Sequence, residues 1–475
     1  MNSKGMADSG TRRMLRDQTP APIERGRFLL MSCQGGAEKP LLSRAATLLP
    51  KTTPGVWRRG VVTLRLADGY DPPDTHSPDL IYARTVIRSF GQVTGETLGE
   101  RIASLENLIG PGFWDDVHVW RRDERPAGAQ PGSIRTPLHA KDDLESAHVR
   151  KAILSKIHQK ESVFTGEPFV SSGRAAGHRV IAGSLVLDCV IDSHERWWVG
   201  WHRAHAPASC VPGGIFQAHE TQQTQHESEV EQSKVSRAWY KLDEAIRFSG
   251  LAVRPGLKAV ELGASPGGAC QRLLEAGMQV VGIDPADMDP VVATHKRFEH
   301  WRKRTRDVRV RAFRPFDWIV ADMNIDPTST LEAIGRIVST PGVRPQVIIA
   351  TLKLPEWSRV DEVPEWLSHF EAWGYRPFAK QLSSAGREIC VVAKKKTGAT
   401  ARRAAKRRRG KISTTPPPVS VKRPHRIEKT VPPPGVAELE KKKKSPPATR
   451  GGRTFVGLKR PANRSKDRAT RRKDS

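Results

Sequence analysis

From residue 259 onward, short apolar runs of strand length alternate with longer runs of helical spacing. Residues 259–262, 279–283, 318–321 and 346–350 read as strands, and 268–276, 329–339 and 360–373 as helices. In such an alternation the helices carry the chain back over the strands and cover them. The pattern therefore predicts an α/β architecture built on a parallel sheet. Side chains at the carboxyl ends of such strands share one crevice, where a ligand binds. Chemistry is expected at strand ends.

The first strand ends in the acidic Glu261 and Leu262, then runs into Gly263-Ala264-Ser265-Pro266-Gly267-Gly268, a turn that opens a helix. Glycines stand where a backbone must bend tightly and let a ligand come close. A purely structural strand-to-helix turn and a dinucleotide site are the alternatives. The spacing is not G-x-G-x-x-G, and Pro266 occupies a turn that a diphosphate would need as an open array of amides. The next strand leads into Asp284, placed to accept hydrogen bonds from ribose hydroxyls. These features favour S-adenosylmethionine, a nucleoside cofactor without a diphosphate. Glu261, Gly263, Ser265, Pro266, Gly267, Gly268, Asp284 and Asp322 are the residues expected around it.

Four residues carry a more specific likeness. Lys241 lies in Ser236-Arg237-Ala238-Trp239-Tyr240-Lys241-Leu242, ahead of the first strand, and Asp322 ends the strand 318–321. Lys353 follows the strand 346–350 in Thr351-Leu352-Lys353-Leu354-Pro355, and Glu388 begins the last strand in Arg387-Glu388-Ile389-Cys390. In these contexts, and over about residues 235–395, the sequence resembles the FtsJ-like ribose 2′-O-methyltransferases, particularly those acting on cytidine in bacterial large-subunit rRNA. The resemblance implies a Rossmann-like methyltransferase domain, S-adenosylmethionine as methyl donor, an RNA partner and a catalytic Lys241, Asp322, Lys353, Glu388 tetrad. Within it Lys353 is expected to be the base, its ammonium form disfavoured by desolvation or a neighbouring cation. Lys241 and Glu388 are expected to position the ribose and Lys353, with Asp322 orienting the lysines. Two positions depart from the family pattern: Glu261 stands where relatives often have Asp, and Ala269 where they commonly have Trp.

Upstream, residues 27–212 alternate short apolar runs, turns and two helix-like segments, 98–109 and 145–158, which is an α+β pattern. The Pro/Gly-rich stretch 125–137 is expected to divide an N-terminal subdomain, 26–130, from a second region, 131–216. Trp197-Trp198-Val199-Gly200-Trp201 and the Pro/Gly turn after it resemble the end of a THUMP domain, an RNA-binding module. Trp197, Trp198, Trp201, His202 and Arg203 are then candidates for base stacking and phosphate binding; a strand packed in its own core is the alternative. Residues 217–234 read as a linker to the methyltransferase domain, 235–397, and 1–25 and 398–475 as disordered.

The formal charge is +28, and residues 398–475 hold 25 Lys or Arg against 5 Asp or Glu. Such a Pro-rich basic tail cannot bury enough apolar surface to order, and is expected to add non-specific affinity for phosphate backbones. The run Arg302, Lys303, Arg304, Arg306, Arg309, Arg311 and Arg314 is expected to grip RNA near the rim of the site. Five scattered cysteines without C-x-x-C spacing argue against a disulfide scaffold or a zinc site, so no metal is expected. They suit a reducing compartment. No apolar run has the length of a signal-peptide core or a membrane span, so a cytoplasmic protein without a membrane partner is expected. Two rival functions are an RNA-binding protein with an inactive methyltransferase fold and a methyltransferase of a base or protein nitrogen. The complete tetrad weighs against the first. Against the second, Met323-Asn324-Ile325 follows Asp322 where an amino-methylating Asn-Pro-Pro-Tyr type motif would stand.

Overall fold

The computed structural model describes residues 26–72, 80–110, 114–123, 142–165, 179–205, 207–215 and 234–396. The expectations for residues 1–25, for nearly all of the linker and for the basic tail lie outside the described residues. Within them the chain forms two seven-stranded sheets.

The N-terminal half supplies β1 (Phe28–Ser32), β2 (Thr52–Arg58), β3 (Val61–Leu66), β4 (Thr85–Thr94), β5 (Asp116–Arg121), β6 (Leu185–Ser193) and β7 (Arg196–Arg203). Their order is β2-β3-β1-β4-β7-β6-β5, antiparallel throughout except for the parallel pair β5 and β6. Helix α1 (Glu38–Leu48) precedes β2; α2 (Leu98–Ile109) and α3 (Asp142–Thr165) bury Ile102, Leu105, Val149 and Ile153 against Val117, Leu187 and Val199. A capping box starts α2: Thr97 accepts from the Glu100 amide while the Glu100 carboxylate reaches back to the Thr97 amide.

Two expectations are corrected here. The stretch 125–137 does not divide two sheets, because β4 and β5 from before it pair with β7 and β6 from after it. The reason is burial: β6 and β7 are buried along almost their whole length, which two strands cannot achieve alone, so they insert between β4 and β5. The same burial overturns the stacking role of the Trp-rich strand. Trp197, Trp198, Trp201 and His202 are core residues, and of the five candidates only Arg203 is exposed. Alternation sends Trp197 and Trp201 into the cluster under α2 and α3, and Trp198 to the opposite face with Leu30, Ile87 and Trp120.

The C-terminal half supplies β8 (Lys258–Leu262), β9 (Gln279–Ile283), β10 (Phe298–Trp301), β11 (Trp318–Ala321), β12 (Val347–Lys353), β13 (Tyr375–Lys380) and β14 (Glu388–Lys395), ordered β10-β9-β8-β11-β12-β14-β13. Neighbours are parallel except at β14, which is antiparallel to both β12 and β13. The helices are α4 (Arg237–Ser249), α5 (Gly268–Glu275), α6 (Pro290–Ala293), α7 (Pro327–Val338) and α8 (Val363–Ala372). On one face Leu242 and Ala245 of α4 and Leu273 of α5 meet Ala259, Val280 and Val320. On the other, Ile334 of α7 and Phe370 of α8 meet Val260, Ile319 and Ile348. This is the mixed α/β, Rossmann-like arrangement that the alternating pattern predicts. From β8 the chain lays β9 and β10 to one side and β11 and β12 to the other, and this reversal opens a crevice at the carboxyl ends of β8 and β11. No helix among the described residues is long and apolar enough to cross a membrane.

Candidate active site

Helix α4 delivers the first residue of the site. Ser236 caps it, accepting a hydrogen bond from the Ala238 amide at 3.3 Å, and Gly250 closes it in the left-handed region. A Cβ on Gly268 would lie 2.1 Å from Ser236 Oγ and 2.9 Å from the Trp239 nitrogen, so glycine alone lets α5 come this close to the start of α4. That approach holds Lys241 over the crevice. Asp322 is the residue after β11, Lys353 is the last of β12 and Glu388 the first of β14. Lys353 and Glu388 are direct cross-strand partners.

The four side chains close a ring. Lys241 Nζ donates to Asp322 Oδ2 at 2.6 Å and lies 3.1 Å from Glu388 Oε1. Lys353 Nζ donates to Asp322 Oδ1 at 2.9 Å and to Glu388 Oε2 at 2.6 Å. Each carboxylate offers one oxygen to each amine, so charges alternate around the ring and cancel. The side chains are 8–23% exposed, reachable yet dry enough for their charges to interact strongly.

Burial opposes the charge on Asp322, but Lys241 and Lys353 outweigh it and hold the carboxyl below its ordinary range. Burial also opposes the Lys353 ammonium, yet Asp322 and Glu388 outweigh it and raise its pKa above the ordinary lysine value. The expectation that the Lys353 ammonium is disfavoured is therefore corrected. Desolvation is present, but the nearest charges are anions.

The residues expected around the cofactor lie at the ends of β8 and β9. Gly263 has φ 76°, and a Cβ on it would come within 2.8 Å of Met323 Cγ. Gly267, with φ 118°, leads into α5. Asp284 accepts from the Ser265 amide through Oδ2 (3.2 Å) and from the Ala286 amide through Oδ1 (2.8 Å), which locks acid and turn together. Each carboxylate oxygen keeps acceptor capacity for a ribose hydroxyl. Gly263, Ser265 and Asp284 are partly exposed and Pro266 is exposed, forming an open rim, while Gly267 and Gly268 are buried behind it. Glu261 is not on that rim: it is buried, takes the Cys270 thiol at 2.9 Å, and has its pKa pushed up by burial to about 8. Ala269 is buried as well, in the core between α4, α5 and the sheet.

Sequence reasoning missed Glu244. Its carboxylate accepts from the amides of Ser383 (2.7 Å) and Ser384 (2.9 Å) and from the Ser384 hydroxyl (2.7 Å), fixing the turn that leads into Glu388. The signal was available, since Lys241 and Glu244 stand three apart on a helix and share a face. The basic run is pinned from below by buried Val308, Phe313 and Phe316, while Arg302, Lys303, Arg304, Arg306, Arg309, Arg311 and Arg314 are all exposed. Arg302 pairs with Asp287, and His300 Nε2 lies 2.9 Å from the Asp284 carbonyl, which puts the start of the run beside the rim.

The FtsJ-like methyltransferase family model matches residues 234–359, a span containing Lys241, the glycine turn, Asp284, Asp322 and Lys353. Ribosomal RNA large subunit methyltransferase M of Xylella fastidiosa is 33% identical over 167 residues, covering 33% of this chain and 46% of that protein. The protein of the same name from Aromatoleum aromaticum is 34% identical over 137 residues, covering 27% of this chain and 36% of that protein. The chain spans under half the length of these curated relatives. Among solved structures, TrmN from Thermus thermophilus gives a TM-score of 0.27 at 14% identity, over 77% of this chain and 99% of that one. The chain thus carries an S-adenosylmethionine-dependent methyltransferase domain of the FtsJ-like kind, related to bacterial ribosomal RNA methyltransferases.

Proposed function

We propose that this chain methylates a ribose 2′-hydroxyl of ribosomal RNA, on a cytidine of the large subunit, using Lys241, Asp322, Lys353 and Glu388 as its catalytic ring. The observation that supports this is the closed alternation of two amines and two carboxylates beside the glycine turn. S-adenosylmethionine, when bound, supplies an electrophilic methyl group. Gly263, Ser265, Pro266, Gly267, Gly268 and Asp284 would hold it.

A ribose hydroxyl is a poor nucleophile, so the chain must align it and give its proton a destination. Alignment lowers the barrier by several kcal/mol, because the reaction becomes effectively unimolecular. Lys241 and Glu388 act in this alignment, each already held by two partners of opposite charge. Since Lys353 rests as an ammonium, the ring as a whole accepts the proton. As the hydroxyl oxygen gains carbon its proton becomes acidic. It passes to Lys353 once that amine has handed its own proton to Glu388 across their 2.6 Å contact. Asp322 keeps both lysines in place throughout. On this reading the N-terminal sheet as a whole is a THUMP-like RNA-recruiting region ahead of a methyltransferase domain at 235–397, and the exposed basic run and the tail hold phosphates. All five cysteines are free and buried, in keeping with a cytoplasmic setting.

Lys353→Ala should lower methyl transfer by about 10²–10⁴-fold, the range typical of a lost acid–base group, while S-adenosylmethionine affinity stays near that of the parent. The measurement is transfer of labelled methyl to ribosomal RNA, followed by nuclease digestion to locate the label. Near-normal turnover in the variant, or label on a base, would sink the proposal.

A further inference from the structure

A second cluster of ionisable groups lies in the N-terminal sheet. His118 on β5 stands directly opposite Asp188 on β6. Asp188 stands opposite Gly200 on β7, and His202 is two residues further along on the same face. All three side chains are buried, and one donor atom from each falls within 4.8 Å of the others. The imidazole rings are neighbours, with centroids 5.6 Å apart. His202 Nε2 lies 2.7 Å from the Ser209 carbonyl, an acceptor only, so Nε2 carries a proton and Nδ1 is turned to Asp188 Oδ2. The other oxygen of Asp188 receives the Trp120 indole N–H at 3.4 Å.

We propose that His118, Asp188 and His202 form a binding site for a divalent transition-metal ion of the zinc type. Two imidazoles and a carboxylate are a donor set that zinc accepts readily. A ligating histidine commonly gives its second ring N–H to a carbonyl, which fixes the tautomer, and His202 does this with Ser209. An ion would take the place of the direct contact between His202 Nδ1 and Asp188 Oδ2 and be held by both. Without one, the two atoms meet through a single shared proton in a fully buried setting. Cysteine spacing could not reveal such a site, because its donors come from three strands that only sheet pairing brings together.

The placement indicates a structural ion. Ser209 belongs to the short turn Pro207–Cys210, and that turn packs against α4, the helix that carries Lys241. A metal on β5, β6 and β7 therefore braces the surface on which the catalytic helix rests.

The full chain, expressed with zinc and dialysed against metal-free buffer, should retain one equivalent by mass spectrometry of the metal. Asp188→Asn keeps the shape of the side chain and removes the anionic donor; it should bind zinc at least tenfold more weakly with an unchanged circular dichroism spectrum. Cobalt in place of zinc should give visible bands in the parent that Asp188→Asn lacks. No retained metal, together with a proton on His202 Nδ1 by nitrogen-15 NMR, would overturn the proposal, as would equal metal in parent and variant. The readouts are metal content and spectra, so they stand apart from the fate of the methylation proposal.

Discussion

The two sheets place their ionisable side chains at opposite kinds of position. In the N-terminal sheet His118, Asp188 and His202 lie within strands and are covered completely. In the C-terminal sheet Asp322, Lys353 and Glu388 lie at strand ends, where the ring with Lys241 keeps some exposure. Asp188 and His202 sit in central strands with neighbours on both edges, and His118 on the edge strand β5 is covered all the same, so only protein or a small ion can satisfy them. A residue at the end of a parallel strand has one open side. A polar residue in an apolar run thus means closure in one sheet and access in the other, and topology decides between them.

The aromatic strand gives the largest expected effect with which to break this comparison. Trp197 is 1% exposed and packs beneath α2 and α3. Trp197→Ala should cost about 3–5 kcal/mol of stability, as large-to-small changes in packed cores do, while the folded fraction binds RNA as the parent does. Thermal unfolding and filter binding on the same samples test this. Weaker RNA binding with unchanged melting would mean that the N-terminal sheet is open after all.

How far each region could be read from sequence follows the same division. Strands β8, β9, β11 and β12 were legible because they are short, mainly apolar runs bounded by turns; Asp284 was read from its place after β9, while Asp322 and Lys353 were named by the resemblance to the FtsJ-like family. Strand β2 was not: it is an edge strand, exposed through Thr53–Trp57 with Pro54 and Gly55 in it, so neither alternation nor a hydrophobic run marks it. The pairing of β4 with β7 was equally hidden, since periodicity tells which face a residue is on and says nothing of which strand lies beside it. The direction of the Lys353 shift was missed for a related reason. It depends on which charges end nearest the amine, and those are Asp322 and Glu388, far away in sequence.

A middle-sized effect sharpens the open side of the comparison. Asp284 spends one hydrogen bond per oxygen on the turn and has capacity left for a ligand. Hydrogen bonds to a charged acceptor are worth about 1.5–3 kcal/mol, so Asp284→Ala should weaken S-adenosylmethionine binding roughly 10–100-fold by calorimetry. Its melting temperature without cofactor should fall far less than that of Trp197→Ala. Unchanged affinity would place the cofactor elsewhere on the sheet.

The smallest effect concerns the residue that crosses the division. Glu261 stands near the end of β8 in the open sheet, yet it is as covered as the N-terminal cluster and is hydrogen-bonded to the Cys270 thiol. Burial is the main cause that lifts its pKa from the ordinary 4.5 to about 8, with the Asp322 charge acting in the same direction and Cys270 and Lys241 against it. The folded chain therefore keeps this proton up to about pH 8, where the unfolded chain gives it up near 4.5. Its contribution to stability is complete below the unfolded value and is lost as pH rises to and through the folded one. Glu261→Gln is a neutral isostere that cannot ionise. It should flatten the decline in melting temperature between about pH 5 and 8 by a few degrees and change little at the acid end. Parallel curves for parent and variant would mean that the carboxyl is already ionised in the folded chain. It would then have to lie on the open side with Asp322 and Glu388, within reach of a lysine or the cofactor, and closure at this strand end would be wrong.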